Sequence, residues 1–170
     1  IALLLSLRAI GVGPGDEVVT SAYSFRETTH AILLCGAKPV FSDIDYWAGT
    51  LDPEKAKSAV TEKTKAIVAG NTNGHPAAWG PLRDIATGAN VALIEDSTEA
   101  IGSTYRGKPV GSFGDCAVFD FSQPGGLICG EGAMIVTDND NTAAMLRRLR
   151  SRRLEERASV VVNAFTPLQA

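Results

Sequence analysis

The side chains able to do chemistry gather at two places. Glu95-Asp96 ends the apolar run Val91-Ala92-Leu93-Ile94, and Glu99 follows close behind. An aspartate at the carboxyl end of a strand can face a ligand or cap its own turn, and the residues alone leave both open. The second place is Phe119 to Met134, where an apolar run breaks into Ser122-Gln123-Pro124-Gly125-Gly126 and recovers as Ala133-Met134-Ile135-Val136. A strand that opens into Ser, Pro and Gly before the next strand is where an α/β sheet presents its ligand loop. The usual nucleophile and metal arrangements do not appear around the histidines. His30 reads as a helix residue and His75 as a surface residue beside Pro76; neither has a ligand partner at i+4 or a Ser or Cys nucleophile motif. Gly130-Glu131-Gly132 enters a strand and lacks G-x-G-x-x-G spacing, so it reads as a turn rather than a phosphate cradle.

The elements that must position these residues alternate along the chain. Ala2 to Ile10 reads as an apolar helix closed by Gly11, Glu17-Val18-Val19-Thr20 as a strand, Phe25 to Cys35 as a helix and Pro39 to Ser42 as the next strand. Asp52-Pro53 supplies an N-cap and a first-turn proline for a helix reaching Val60. Strands follow at Ala66 to Ala69 and Val91 to Ile94, with a short helix at Pro81 to Ala86 between them. Tyr105 to Val110 forms a surface hairpin, Cys116 to Phe119 and Met134 to Thr137 are the last strands, and a helix begins near Thr142. This alternation predicts a three-layer α/β sandwich whose mostly parallel sheet is covered on both faces. Asp96 and the Asp120 loop then fall at strand carboxyl ends, where such sheets hold ligands.

The 170 residues have the length of one domain, and 45% hydrophobic with 21% charged residues is ordinary globular composition. A net charge of −3 gives no broad reason to expect nucleic acid or an anionic membrane. The arginines between Leu146 and Leu154 read as the solvated face of a helix whose leucines turn inward. Cys35, Cys116 and Cys129 stand singly without CxxC spacing, which argues for reduced thiols in the cytoplasm and against a disulfide frame or zinc. No stretch is apolar and long enough to cross a bilayer, and the missing initiating Met implies a start inside a longer reading frame.

Phe119 to Ala133 and Glu95-Asp96-Ser97-Thr98-Glu99-Ala100-Ile101-Gly102 resemble the DegT/DnrJ/StrS family of pyridoxal-phosphate (PLP) nucleotide-sugar aminotransferases. The family's segments read F-S-F-x-x-x-K-x-L/I-x-x-G-E-G-G and E-D-A-A-Q-A-x-G. Matching spacing recurs at Gly11 to Val18, Gly36-Ala37-Lys38-Pro39-Val40-Phe41 and Asp43-Ile44-Asp45. The resemblance implies the large domain of the fold type I PLP transferases over residues 1–170, incomplete at both ends and without the small C-terminal domain. It implies that Asp96 pairs with the pyridinium nitrogen of PLP or pyridoxamine phosphate (PMP) and that Phe25 stacks on the ring, with core packing as the competing role for Phe25. Glu99 stands where a glutamine faces the cofactor's phenolic oxygen. It also implies a homodimer acting on a nucleotide sugar.

Two departures strike the chemistry. Gly125 occupies the position of the Schiff-base lysine, and Asp120 that of the serine that binds the cofactor phosphate. Lys108 is the last lysine in the chain, so no neighbouring amine replaces the missing one. Asn71 to Pro76 replaces H-L-Y-G-x-P, and Val162 to Gln169 resembles N-Y-R-M-T-P-L-Q with Val162 and Ala164 at its Asn and Arg. No residue is assigned a catalytic role. Three functions stay open: a degenerate member that does not transaminate, a non-catalytic binding or dimerisation module, and an enzyme that holds PLP or PMP non-covalently with Glu99 or Asp120 as base.

Overall fold

The computed structural model describes residues 1–122 and 126–151. Among the described residues five α-helices and eight strands follow in chain order. They are α1 (Ala2–Ala9), β1 (Glu17–Ser21), α2 (Arg26–Leu34), β2 (Lys38–Ser42), α3 (Pro53–Ala59), β3 (Thr64–Gly70), α4 (Trp79–Ala89), β4 (Ala92–Asp96), the hairpin β5 (Thr104–Tyr105) and β6 (Lys108–Pro109), β7 (Cys116–Asp120), β8 (Ala133–Val136) and α5 (Asp140–Arg150). Local chemistry accounts for several ends. Asp52 caps α3 by accepting from the amides of Glu54 and Lys55, and Asn139 caps α5 through Thr142. Arg106 and Gly107, both at positive φ, make the two-residue turn of the β5–β6 hairpin.

Most element ends lie within one or two residues of the sequence expectation, and the largest difference is at α4. The helix expected at Pro81 to Ala86 runs from Trp79 to Ala89 and ends at Asn90 in the left-handed conformation. Pro81 lies in its first turn, where a missing amide proton costs no intrahelical bond, so it does not mark the start.

Six strands form one sheet in the order β2-β1-β3-β4-β7-β8. All neighbours pair in parallel except β7 and β8, which run antiparallel. Successive residues of each central strand enter opposite cores, as strand geometry requires. Val18, Val68 and Ile94 join a core with Leu3, Leu7 and Ile32; Val19, Ile67 and Leu93 join another with Trp79, Leu82 and Ala86. Helices α1, α2 and α5 therefore cover one face and α3 and α4 the other, giving the expected three layers. Leu146 of α5 is buried while Arg147, Arg148 and Arg150 are exposed, which matches the solvated-face reading as far as Ser151. Arg152, Arg153, Leu154 and the segment Val162 to Gln169 lie outside the described residues. Among the described residues no helix is long and apolar enough to cross a membrane.

The strand order places a switch point at β1. From β1 the chain moves outward to β2 by way of α2, then returns on the other side of β1 as β3 by way of α3. The loops leaving β1 and β3 head for opposite faces, and a gap opens between them above the strand ends.

Candidate functional site

That gap is a cavity of about 200 Å³ walled by Tyr23, Ser24 and Phe25 after β1, Gly70 to Asn73 after β3, and Asp96, Thr98 and Glu99 after β4. Phe25, Asp96 and Glu99, far apart in sequence, thus meet in one recess. Phe25 is 38% exposed and is not among the residues of either core. Glu99 Oε2 accepts from the amide of Asn73 at 3.1 Å, and the side-chain amide of Asn73 donates to the Tyr23 hydroxyl at 3.4 Å. These two bonds tie the β1, β3 and β4 loops together around the recess. Asn73 adopts φ 53°, a left-handed position that asparagine tolerates better than most side chains.

Phe25, Asp96 and Thr98 also line a wider groove of about 870 Å³ that reaches Asp120, Ser122 and α5. Thr98 joins the two acids: its amide donates to Asp96 Oδ1 at 3.2 Å, and its hydroxyl accepts from the Asp120 amide at 3.2 Å. Burial pushes the Asp96 carboxyl above the usual aspartate range, the Thr98 bonds draw it down, and the charges of Glu99 and Asp120 push it further up. Asp120 Oδ1 accepts from both the amide of Ser122, at 2.8 Å, and its hydroxyl, at 2.7 Å. The carboxylate therefore takes up the donors of its own turn.

Behind the cavity lies a buried polar network that the sequence did not announce. Glu95 is fully buried; its Oε1 accepts from Asn71 Nδ2 (2.9 Å), the Ser97 hydroxyl (2.7 Å) and the Gly111 amide (2.6 Å), and its Oε2 from the Phe113 amide (3.0 Å). Asn71 Oδ1 in turn accepts from the Ala77 amide and Trp79 Nε1, both at 2.9 Å. A carboxylate that only accepts and an asparagine that uses both ends leave no donor idle, which is what lets such polar groups stay buried. Gly114 lets this loop approach: a Cβ there would lie 2.5 Å from the Cys116 carbonyl. The signal available in sequence was Asn71 itself, opening the loop that departs from H-L-Y-G-x-P.

The other sequence candidates stand apart. His30 and His75 are exposed and line neither cavity, and among the described residues no group of His, Cys, Asp or Glu could hold a metal. Gly130 and Gly132 sit at positive φ in the turn before β8. Gly125 lies outside the described residues.

With Asp96 at the end of β4 and Phe25 across the recess, the chain matches the DegT/DnrJ/EryC1/StrS aminotransferase family over residues 1–163. It belongs to that family. GDP-perosamine synthase of Caulobacter vibrioides is 40% identical over 154 residues, covering 91% of this chain and 42% of that protein. The spore coat polysaccharide biosynthesis protein SpsC of Bacillus subtilis is 39% identical, covering 87% and 38%. Among solved structures, S. venezuelae DesV in complex with a ketimine intermediate superposes with a TM-score of 0.85 at 36% identity, over 89% of this chain and 42% of that one. NtdA of Bacillus subtilis, with bound PMP, gives 0.80 at 32% identity, over 85% and 33%. The chain spans about two fifths of the length of these curated relatives. The fold is that of the family's fold type I PLP-dependent aminotransferases.

Against the family's cofactor the site divides. The ring end fits, since Phe25 offers an aromatic face and Asp96 a carboxyl group within one cavity. The phosphate end does not, because at Asp120 a carboxylate already holds the donors of Ser122. The residues present therefore do not fit a phosphorylated cofactor anchored through a lysine.

Proposed function

We propose that this chain is a family member that does not transaminate and whose site holds a ligand without covalent capture. The observation that carries the reading is Gly125 at the lysine position: a hydrogen atom in place of a side chain can neither form a Schiff base nor move a proton. The acid at Asp120 supports it from the phosphate side. On this reading residues 1–170 make up the large-domain portion of a PLP-transferase-like protein. Phe25, Asp96 and Glu99 contact the ligand, and no residue is a catalytic nucleophile. Free cysteines, with Cys35 and Cys116 buried, support a reducing compartment, the cytoplasm.

The test is to incubate the purified protein with PLP, reduce with borohydride and measure intact mass beside an unreduced, dialysed control. The expected result is no stoichiometric adduct. An adduct mapping to one peptide, or amino transfer to a keto nucleotide sugar, overturns the reading. A second reading, a pairing module, is favoured by a separate observation. Leu127, Ile128 and Met134 expose 48%, 58% and 51% of their surface around the end of the glycine loop. A concentration-dependent dimer in analytical ultracentrifugation, weakened by charge at Ile128, supports pairing, and a strict monomer rejects it.

A further inference from the structure

We propose that this chain associates head to tail with further copies of itself, the arginines of α5 in one copy settling on the Tyr46 and Trp47 rings of the next. The two patches involve no residue of the recess, so the inference stands apart from the reading of the site. Tyr46 and Trp47 lie in the loop between β2 and α3, 83% and 90% exposed, with ring centroids 5.0 Å apart and planes at 87°. Their loop is fixed by its own hydrogen bonds. Asp45 Oδ1 accepts from the amides of Trp47, at 3.0 Å, and Ala48, at 2.7 Å, and the Asp45 amide donates to the Thr50 carbonyl at 2.9 Å. Two adjacent large rings held in water gain little from the chain's own cores, and Trp, Tyr and Arg are the side chains that most often anchor a protein contact. Around them residues 43–55 carry Asp43, Asp45, Asp52 and Glu54 against Lys55, whose ammonium already pairs with Asp43 at 3.1 Å. The aromatic loop is therefore negative.

The complement is on the same chain. The end of α5 presents Arg147, Arg148 and Arg150, all exposed, and among the described residues none of the three is in an ion pair. Arg148 points away from the buried Leu146, with Arg147 beside it. A guanidinium over a Trp or Tyr face with carboxylates close by is attracted by the ring and by the charges together. The two patches cannot meet within one chain. The loop follows β2 and α5 follows β8, the two edge strands of the sheet, which five strand spacings put roughly 24 Å apart. A contact between unlike patches is heterologous: every copy that joins leaves one patch of each kind free, and assembly continues past the dimer.

Sedimentation velocity of the purified chain, from about 10 µM to about 0.5 mM at low ionic strength, covers the range of a weak contact of this kind. The weight-average mass is expected to grow past that of a dimer and to fall back at about 0.5 M salt, where the charges are screened. Trp47→Ala removes one patch, and Arg147→Glu with Arg148→Glu in one chain removes the other. Each variant should weaken association at least about tenfold. All three positions are exposed, and circular dichroism checks that the variants fold. Mixing the two variants is the decisive arm, because one keeps its α5 and the other its loop: the mixture should form a heterodimer that stops at two chains. A strict monomer, a parent chain that stops at the dimer, or a mixture that stays monomeric overturns the inference. So does association that survives Trp47→Ala; if charge at Ile128 weakens it instead, the pairing module is supported in its place. None of these outcomes bears on transamination, which the borohydride experiment decides.

Discussion

Glu95→Gln is the most informative substitution in the network behind the cavity. The change keeps volume and removes the charge and one acceptor. If the amide oxygen stays at Oε1, it still accepts from Asn71, Ser97 and Gly111, and the new NH₂ points at the Phe113 amide, donor against donor. If the amide turns over, three donors lose their acceptor instead. The milder outcome leaves one buried donor unsatisfied, about 2 kcal/mol, and reduces three charge-assisted bonds to neutral ones, about 0.5 kcal/mol each. Relief from burying a charge offsets part of this, so the net loss is about 3 kcal/mol, or roughly 10 °C in Tm for a chain of this size. Urea unfolding followed by far-UV circular dichroism measures it, provided the m-value is unchanged. A loss below about 0.5 kcal/mol would mean that Glu95 contributes volume and not acceptance, and the account of the network would be wrong.

Asp96 predicts a pH signature. Its folded-state carboxyl titrates above the unfolded value, with burial as the first cause, so the folded chain keeps the proton longer than the unfolded one. Its stabilising contribution is complete below about pH 4 and is lost as pH rises through the raised value. Asp96→Asn should therefore gain stability relative to the parent across that window and hold a constant difference above it. Urea midpoints at a series of pH values check this, and a difference that shrinks with rising pH refutes it. The thiols should differ sharply in reactivity: burial pushes Cys116 up to about 11 and raises Cys35, while Cys129 is exposed. Iodoacetamide on the native protein near neutral pH should add one label, on Cys129, and unfolding should release the other two of the three cysteines. Rapid labelling of Cys116 in the native state contradicts the placement of β7.

What could be read in advance was local in character. Asp52-Pro53 announces α3 because an N-cap and a first-turn proline act within one turn of chain. The alternation at Val18 and Val19, or at Ile67 and Val68, follows from burial on both faces of a parallel sheet. Phe25 and Asp96 were legible through the resemblance, and the fold brings them to one cavity. The Glu95–Asn71 bond was not legible, because its partners are 24 residues apart and follow no period. The start of α4 was hidden for a related reason. Trp79 belongs to the helix because its indole is held by Asn71, a tertiary contact that outweighs the Gly80-Pro81 punctuation after it. In the sequence Asp120 stood only as a departure from the phosphate-binding serine; the fold gives its charge a local partner in Ser122.

The switch point at β1 has a mechanical meaning. One jaw of the recess, Phe25, leads into α2, whose Ala31 and Ile32 belong to the core beneath it. The opposing jaw, Asn71, is bolted to Trp79 in the core on the far side of the sheet. Because close-packed interiors transmit displacement, the aperture is a difference between two thicknesses, one set on each side of the sheet. A methyl group added at Ala31 or removed at Leu82 thus works like a shim. Selection acting on the interior of either layer is, through this lever, selection on the mouth.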